Sequence, residues 1–240
     1  MVTKSDPIKQ ATVVSTGMEE MDKKMGGGIP LGSLTLIEGQ SDAGKSVVCQ
    51  HLAFGALRSG LQVAYYSTEN TVKSLLTQMG SLGLDVIDHF LVDRLRVYPL
   101  TLPNRGFDAD ITYAVLLDHI TDLPERVSVV IIDSLTTLVS HSAVTSVIDY
   151  FSAAKKLCDE GKTVVLVAHT SAFDENTLIR VRSLCDAHLS LRLEQVGEQL
   201  VKVLEVAKVR NAERTTGNIV SFDVEPGLGI HIIPVSKAKA

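Results

Sequence analysis

Residues 39–46 of the chain read Gly-Gln-Ser-Asp-Ala-Gly-Lys-Ser and follow the spacing GxxxxGK[ST]. The segment before them, 33–38, is rich in apolar and β-branched residues and predicts a strand, and the segment Lys45–Arg58 predicts a helix that ends near Gly60. A strand, a glycine-rich turn and a helix in this order are the context in which the spacing indicates a phosphate-binding loop. The stretch therefore predicts an α/β fold with a nucleotide site at the turn.

The chemistry of this loop assigns roles to its residues. Gly39 and Gly44 allow a tight turn in which successive backbone N–H groups face a phosphate, and the dipole of the next helix favours the same anion. Lys45 is expected to reach the β- and γ-phosphates of ATP, and the Ser46 hydroxyl to bind Mg²⁺. A glycine-rich turn with a chance lysine is the alternative, which the flanking strand and helix disfavour. The residues predicted to contact the nucleotide are Gly39, Gln40, Ser41, Asp42, Ala43, Gly44, Lys45, Ser46 and Val47.

A second motif is the apolar segment Val127–Asp133, which ends in an acid. A buried strand delivers one carboxylate to the carboxyl edge of a parallel sheet, beside the phosphate loop. Asp133 is therefore expected to hold Mg²⁺, directly or through water. An acidic cap at the end of a strand is the alternative, and the phosphate loop earlier in the chain favours the metal role.

Short apolar segments alternate with helical patterns up to residue 168. Further strands are predicted at 62–67, 95–98 and 163–168, and further helices at 72–82, 109–121 and 144–160. Strands without polar alternation are buried on both faces, so with helices between them they predict a mostly parallel central sheet. Alternating segments at 188–195, 200–208 and 219–224 predict a C-terminal antiparallel extension. No linker divides the chain, so residues 1–240 are expected to form one domain with a frayed tail at 236–240.

Composition narrows the class of protein. The chain has 240 residues, of which 45% are apolar, and a formal net charge of −5, which disfavours a general nucleic-acid binder. Cys49, Cys158 and Cys185 are widely spaced and form no CxxC, which predicts buried thiols in a reducing compartment. The apolar runs are too short to span a bilayer and no secretory signal is visible, so membrane contact is expected only through a partner.

The lead-in to the loop resembles that of KaiC-like ATPases in the RecA superfamily. Residues 16–22 read Thr-Gly-Met-Glu-Glu-Met-Asp, and residues 25–33 read Met-Gly-Gly-Gly-Ile-Pro-Leu-Gly-Ser. Later matches are Tyr-Ser-Thr-Glu-Asn-Thr at 66–71, Gln-Met-Gly-Ser-Leu at 78–82 and Tyr-Pro-Leu at 98–100. In this order the motifs make residues 12–235 similar to the archaellum accessory ATP-binding proteins, the FlaH family.

The resemblance carries expectations about fold, cofactors and partners. It implies a RecA-like domain that binds ATP with Mg²⁺ and forms a homo-oligomeric ring of about six subunits. It also implies docking to the archaellum motor ATPase and to a membrane platform protein. The expected location is therefore cytoplasmic, peripheral at the inner face of the cell membrane.

Two further positions are candidates for the hydrolytic chemistry. KaiC-like hydrolases resemble one another in a pair of glutamates after the second strand, where this chain has Glu69 followed by Asn70. Because an amide cannot accept a proton, Glu69 is the single candidate for polarising the attacking water, and weak or no hydrolysis is expected. A charge at the start of the next helix is the alternative role for Glu69. His169 occupies the position where RecA-like proteins place a sensor of the γ-phosphate, although a lone histidine is more often structural.

Charged residues elsewhere suggest contacts with a neighbouring subunit. Lys208 and Arg210 resemble the K-x-R element with which KaiC-like rings reach the γ-phosphate of the adjacent subunit. Residues two apart on a strand share a face, so both charges can meet one anion, the alternative being an exposed basic strand face. Asp42 departs from the small neutral residues usual in the loop, and it faces either the phosphates or a neighbour.

Two other functions share the predicted core. A DNA strand-exchange protein binds DNA through the loops after the strands at 127–133 and 163–168, but residues 127–154 and 164–179 contain no Lys or Arg, so no nucleic-acid partner is expected. A KaiC-like signalling ATPase or autokinase needs an acceptor hydroxyl. Candidate acceptors are Thr136, Thr137, Thr215 and Thr216. The favoured hypothesis is an ATP-binding protein of the archaellum motor whose assembly responds to the nucleotide.

Overall fold

The fold was taken from a computed structural model, which describes residues 11–102, 108–196, 199–212 and 218–233. The strands are β1 (Val13–Val14), β2 (Ile29–Pro30), β3 (Leu34–Gly39), β4 (Gln62–Ser67), β5 (Leu95–Pro99), β6 (Val127–Asp133), β7 (Thr163–His169), β8 (Ala187–Val196), β9 (Gln199–Val209), β10 (Ile219–Glu225) and β11 (Gly229–Ile233). The helices are α1 (Glu19–Lys24), α2 (Lys45–Arg58), α3 (Val72–Ser81), α4 (Ile87–Leu91), α5 (Ala109–Thr121), α6 (Thr136–Ser140), α7 (Val144–Asp159) and α8 (Glu175–Leu184). A 3-10 turn, Thr170–Ala172, follows β7.

A nine-stranded sheet forms the centre of the molecule, in the order β11-β10-β9-β8-β3-β7-β6-β4-β5. The strands from β3 to β5 in this order are parallel, and β9, β10 and β11 are antiparallel to their neighbours. The strand at the change is β8, which is parallel to β3 and antiparallel to β9, because α8 carries the chain across the sheet before β8 whereas β9 follows β8 directly. The predicted parallel sheet with a C-terminal antiparallel extension is confirmed.

Helices cover both faces of the parallel part of the sheet. Residues of β6 alternate between two hydrophobic cores: Val129 and Ile131 face α2 and α3, while Val130 and Ile132 face α5 and α7. All four side chains are fully buried, which explains why this strand shows no polar alternation. At about 1.5–3 kcal/mol for each buried side chain of this size, such strands hold the sheet between its helices.

The predicted strands and long helices are present, with bounds that agree to within one residue at each end. The segments that the sequence analysis did not assign are α1, α4, α6, α8, the small β1–β2 pair and β11. Helices α4 and α6 have only five residues each, too few for a helical period to show. The predicted frayed tail lies outside the described residues, and the single-domain assignment stays a prediction.

The sequence analysis predicted buried cysteine thiols and no segment that spans a membrane. Cys49, Cys158 and Cys185 are free and buried, as predicted. Burial raises the pKa of Cys158 and of Cys185 to about 12, so these thiols stay protonated at neutral pH. In the part of the chain that the structure describes, none of the helices combines the length and apolar character needed to cross a membrane.

Candidate functional site

The phosphate loop joins the end of β3 to the first turn of α2. Asp42 and Gly44 have left-handed backbones, with φ of 59° and 92°, and they turn the chain into the compact form that presents backbone N–H groups to an anion. In the described parts of the chain, no side chain caps the first turn of α2, whose N-cap is Gly44. The free N–H groups and the helix dipole therefore point at the mouth of the loop, which is the arrangement that binds phosphate.

Glycine is required at two loop positions for different reasons. At Gly39, an added Cβ would lie 2.1 Å from the carbonyl oxygen of Leu191, so β8 passes too close for any side chain. The sequence analysis gave a tight turn as the reason for both glycines, and the left-handed backbone is found at Gly44, whose Cβ would also lie 3.1 Å from the Phe222 ring. The loop is thus held between α2 and the β8–β10 part of the sheet.

The cation, hydroxyl and carboxylate predicted for Mg·ATP meet at this loop. The Lys45 ammonium donates hydrogen bonds to the carbonyl oxygens of Gly39 at 3.3 Å and Gln40 at 2.6 Å. The Ser46 hydroxyl donates to Asp133 Oδ1 at 3.2 Å. The structure therefore places Lys45, Ser46 and Asp133 together at the carboxyl edge of the sheet.

A tyrosine that the sequence analysis missed orients the acid. The Tyr65 hydroxyl, on β4 beside β6, donates to Asp133 Oδ2 at 2.8 Å. Burial raises the pKa of Tyr65 well above its usual value, so the phenol stays a neutral donor. The signal available in the sequence is weak: a buried tyrosine needs a hydrogen-bond partner, but only the pairing of β4 with β6 shows which.

Burial sets the electrostatics of the charged pair. Burial raises the pKa of Asp133, against hydrogen bonds from Tyr65 and Ser46 that lower it. Burial likewise lowers the pKa of Lys45, against the negative charge of Asp133. Each charge is thus short of water and stabilised by the other, which prepares the site for a ligand that carries both a cation and an anion.

A cavity of about 510 Å³ opens beside these groups. It is lined by Ser41, Asp42, Gly44, Lys45, Ser46, Val47, Glu69, Gln78, Asp133, Ser134, His169, Lys202 and Val224. Sequence analysis did not assign Gln78, Ser134, Lys202 or Val224 to the site. Gln78 accepts a hydrogen bond from the Gln50 side chain at 2.8 Å, and Lys202 pairs with Asp223 at 3.3 Å. The antiparallel extension therefore forms one wall of the cavity, which no motif in β9 or β10 indicates.

The candidate residues Glu69, His169 and Asp42 all line the cavity. Glu69 is exposed, and its carboxylate accepts no hydrogen bond from the residues that the structure describes. The cap of α3 is Thr71, whose hydroxyl accepts a bond from Ser74 N, and the alternative role of Glu69 as a charge near the start of this helix stays a prediction. Burial lowers the pKa of His169, and the Lys45 charge lowers it further, so this imidazole is neutral at pH 7. Burial lowers the pKa of Lys45, and the negative charge of Asp42, which lines the same cavity, is one of several that oppose this lowering.

Lys208 and Arg210 lie on one side of the end of β9, away from the loop of their own chain. Lys208 on β9 pairs with His188 on β8, and His188 pairs in turn with Leu36 on β3. Leu36 lies three residues before Gly39, the first residue of the loop. Both side chains bind the carboxyl end of α8: Lys208 Nζ donates to the carbonyl of Arg182 at 2.9 Å, and Arg210 donates to that of Ser183 at 3.3 Å. Arg210 lies just after β9 rather than within it, yet both side chains contact the same end of α8, and their action on a neighbouring subunit stays a prediction.

A second cavity, of about 590 Å³, adjoins the first where Glu69, Ser134 and His169 line both. Its other walls come from the ends of β4, β5 and β6 and include the hydroxyl groups of Thr136 and Thr137. The other two candidate acceptors, Thr215 and Thr216, lie outside the described residues.

The donor groups suit a nucleotide with a divalent cation. Ser46 and Asp133 offer hard oxygen atoms, which Mg²⁺ prefers, and the uncapped first turn of α2 offers N–H groups to phosphates. Among the described residues, the hydrogen-bond acceptors of Lys45 are two loop carbonyls, which it can exchange for phosphate oxygens. The residues present therefore fit Mg·ATP.

The chain is similar to known proteins over nearly its whole length. A sequence model of the family described as "ATPase: KaiC" matches residues 14–237. The archaeal flagellar ATP-binding protein FlaH of Sulfolobus acidocaldarius is 31% identical over 235 residues, which cover 95% of this chain and 100% of that protein. FlaH of Methanocaldococcus jannaschii is 29% identical over 229 residues, covering 94% and 97% of the two chains. The crystal structure of flagellar accessory protein FlaH from Methanocaldococcus jannaschii superimposes with a TM-score of 0.80 at 26% identity, covering 93% of this chain and 99% of that one.

Proposed function

The chain belongs to the KaiC family of ATPases and, within it, to the archaeal FlaH proteins, and from this premise we propose that it binds Mg·ATP as a nucleotide-responsive component of the archaeal flagellar motor. The observation that carries the binding part of the proposal is the meeting of Lys45, Ser46 and Asp133 at the uncapped start of α2. The family relationship supports the motor part, since the similar proteins are described as archaeal flagellar.

The residues of the site have separate roles in binding the nucleotide. The loop N–H groups hold the phosphates, and Lys45 exchanges the carbonyls of Gly39 and Gln40 for phosphate oxygens. Ser46 and Asp133 hold Mg²⁺, with Tyr65 fixing the orientation of the carboxylate. The ion, when bound, neutralises phosphate charge.

Hydrolysis by the chain alone is proposed to be weak or absent. A general base is effective when its carboxylate is held in position, whereas the Glu69 side chain is exposed and has no hydrogen-bond donor among the described residues. The amide of Asn70 cannot replace a second acid, and its oxygen accepts a bond from Ser74 at 2.7 Å. The site thus favours retention of the nucleotide over its turnover.

We extend the proposal to assembly and location. ATP stabilises one homo-oligomeric state, a ring of about six single-domain subunits in which Lys208 and Arg210 approach the nucleotide of a neighbour. That ring docks to the motor ATPase and to a membrane platform protein, from the cytoplasmic side and without entering the membrane. No DNA is involved: residues 134–143 and 170–174, which follow β6 and β7, carry no Lys or Arg to neutralise phosphates.

The test is size-exclusion chromatography with light scattering in Mg·ATP, in Mg·ADP and without nucleotide, with phosphate release measured in parallel. We expect a larger mass in Mg·ATP than in the other two conditions, with turnover far below the ~1 s⁻¹ at the low end of typical enzymes. One mass in all three conditions would refute the nucleotide-responsive assembly, and vigorous phosphate release would refute the weak hydrolysis.

A phosphotransferase function is the second candidate, because of the cavity that adjoins the phosphate site. Its wall presents the hydroxyl groups of Thr136 and Thr137 next to Glu69 and His169. In that case the threonine oxygen attacks the γ-phosphorus, its proton passes to Glu69, and ADP leaves. Mass spectrometry after incubation with Mg·ATP decides between the two: a phosphorylated threonine supports the transfer, and an unmodified chain supports the assembly role alone.

A further inference from the structure

A buried carboxylate lies directly behind the phosphate loop. Glu38 precedes Gly39, and its side chain is 1% exposed. It accepts hydrogen bonds from the Thr170 hydroxyl in the turn after β7, from the Arg182 guanidinium on α8, and from Nε2 of His188 on β8 at 3.1 Å. Burial by itself raises the pKa of Glu38, but these hydrogen bonds outweigh it and lower the pKa to about 2. We call Glu38, Thr170, Arg182 and His188 the Glu38 cluster. It joins the turn after β7, helix α8 and strand β8 to the end of β3, just before the loop.

The Glu38 cluster touches the phosphate site through two neighbours in the chain. Gly39, which follows Glu38, presents its carbonyl to Lys45 Nζ at 3.3 Å. His169, which precedes Thr170, lines the phosphate cavity. A triphosphate that draws Lys45 away from Gly39 and meets His169 therefore acts on residues next to two members of the cluster.

Through α8, the Glu38 cluster is also connected to the basic pair Lys208 and Arg210 at the end of β9. Arg182 binds Glu38 through its guanidinium, while its backbone carbonyl accepts a hydrogen bond from Lys208 Nζ at 2.9 Å. Arg210 binds the next carbonyl, that of Ser183, and its guanidinium lies 3.6 Å from Asp186 Oδ1. The contacts are thus continuous from the phosphate loop, through α8, to the face that carries Lys208 and Arg210.

We propose that Glu38 is a positioning residue that couples nucleotide binding at the phosphate loop to the position of α8 and of the basic pair Lys208 and Arg210. The inference rests on the proposed function and adds how occupancy of the site is read at a distance. A buried ion pair with several hydrogen bonds tolerates few arrangements, because each broken bond leaves an unpaired polar group away from water. Such a cluster moves between discrete states, which is what transmission of a binding event requires.

The experiment follows backbone amide exchange by mass spectrometry, with and without Mg·ATP, in two segments: the phosphate loop, residues 39–47, and α8. The main variant is Glu38→Gln, which keeps the shape of the side chain and removes its charge. Thr170→Val, which removes a single hydroxyl donor, serves as a milder second variant. Glu125→Gln is the matched control, since Glu125 is exposed and lies just before β6, at the edge of the parallel sheet opposite to the cluster.

In the natural protein and in Glu125→Gln, Mg·ATP should slow exchange in both segments, by on the order of fivefold or more in α8. In Glu38→Gln and Thr170→Val the loop should still be slowed by Mg·ATP, while the response of α8 falls to less than about twofold. If the cluster had only a structural role, the two variants would have a lower melting temperature, but α8 would still respond to Mg·ATP. The inference is overturned if α8 in the natural protein ignores Mg·ATP while the loop responds, or if both variants keep the full α8 response. A loop that does not respond in the natural protein refutes the proposed function and the inference with it.

Discussion

Ser46 and Asp133 are 87 residues apart in the chain, yet their side-chain oxygen atoms lie 3.2 Å apart. The carboxylate gains its partners from β4 and α2, and burial raises its pKa. For the buried ammonium of Lys45 the shift is in the opposite direction, because burial lowers its pKa. Both residues are therefore placed where a change of charge alters binding more than it would on the surface.

Asp133→Asn should weaken ATP binding in the presence of Mg²⁺ by about tenfold or more, because the amide replaces a charged oxygen ligand. Without Mg²⁺ the affinity should be little changed. Isothermal titration calorimetry with and without the ion measures both values. Asp93→Asn, at an exposed acid paired with Arg126, is the control that should bind as the natural protein does. Equal affinity of Asp133→Asn and the natural protein in Mg²⁺ would exclude the metal role of Asp133.

Lys45→Ala should weaken ATP binding with and without Mg²⁺, because the ammonium is assigned to the phosphates themselves. The loss expected from one charge-assisted contact is about tenfold or more. Lys73→Ala on the exposed face of α3 gives a matched change of charge. Calorimetry that finds the same affinity for Lys45→Ala and the natural protein would remove Lys45 from the site.

Glu38 predicts how stability depends on acidity. Its pKa falls from 4.5 to about 2 on folding, so its contribution to the free energy of unfolding is complete above about pH 4.5 and is lost as the pH falls toward 2. The shift corresponds to roughly 3 kcal/mol. Urea unfolding at several pH values should show that Glu38→Gln flattens this part of the stability profile. Parallel profiles for the variant and the natural protein would contradict the lowered pKa.

At the scale of elements, the close approach of β3 and β8 determines the start of the phosphate loop. The carbonyl of Leu191 accepts a hydrogen bond from Gln40 N at 3.3 Å, and the Leu193 N–H donates to the Gln40 side chain at 3.2 Å. A strand from the C-terminal part of the sheet thus positions the first residues of the loop, and the spacing of the motif does not reveal this contact.

Gly39→Ala should destabilise the protein by about 1–3 kcal/mol or more, because its Cβ would lie 2.1 Å from the Leu191 carbonyl oxygen. Gly80→Ala is the matched control: nothing lies within 4 Å of its Cβ on α3, so the same change should stabilise the helix by about 0.5–1 kcal/mol. Urea unfolding measures both. The prediction fails if the two variants shift the free energy of unfolding in the same direction.

At the scale of the whole molecule, the nucleotide cavity spans the parallel sheet and its antiparallel extension. The loop and Asp133 come from the parallel part, and Lys202 and Val224 come from β9 and β10. The same extension carries Lys208 and Arg210 on its far side, bound to α8. One structural unit therefore contacts both the nucleotide position and the surface proposed to face a neighbouring subunit.

Lys208→Ala should abolish the effect of Mg·ATP on oligomeric mass while leaving ATP binding by the monomer largely intact, because the side chain lies away from the loop of its own chain. Light scattering and calorimetry on the same samples measure the two properties. Lys156→Ala on the exposed side of α7 should assemble normally. Assembly of Lys208→Ala in Mg·ATP to the mass of the natural protein would remove this residue from the interface.

The parts of the fold that sequence reasoning recovered are those in which one physical requirement acts on consecutive residues. Val127–Asp133 must be apolar throughout because it is buried on both faces, and a strand of that composition is easily recognised. Helix α8 was missed, although the Asp174 carboxylate caps it by accepting a hydrogen bond from the backbone N–H of Thr177. The reason is that the apolar residues of this helix show no clear helical period. Very short helices such as α4 left no pattern at all.

By itself, the sequence determined that this chain has an α/β core with a glycine-rich loop between a strand and a helix, and it predicted that one lysine, one serine and one aspartate meet there. Those features follow from local requirements: backbone conformation, hydrophobic period and the chemistry of a spaced motif. Only the tertiary structure decided that Tyr65 holds Asp133, that Lys202 closes the cavity, and that Glu38 ties the loop to α8. These contacts join residues far apart in the chain, and strand order and register, which depend on how the whole sheet packs, bring them together.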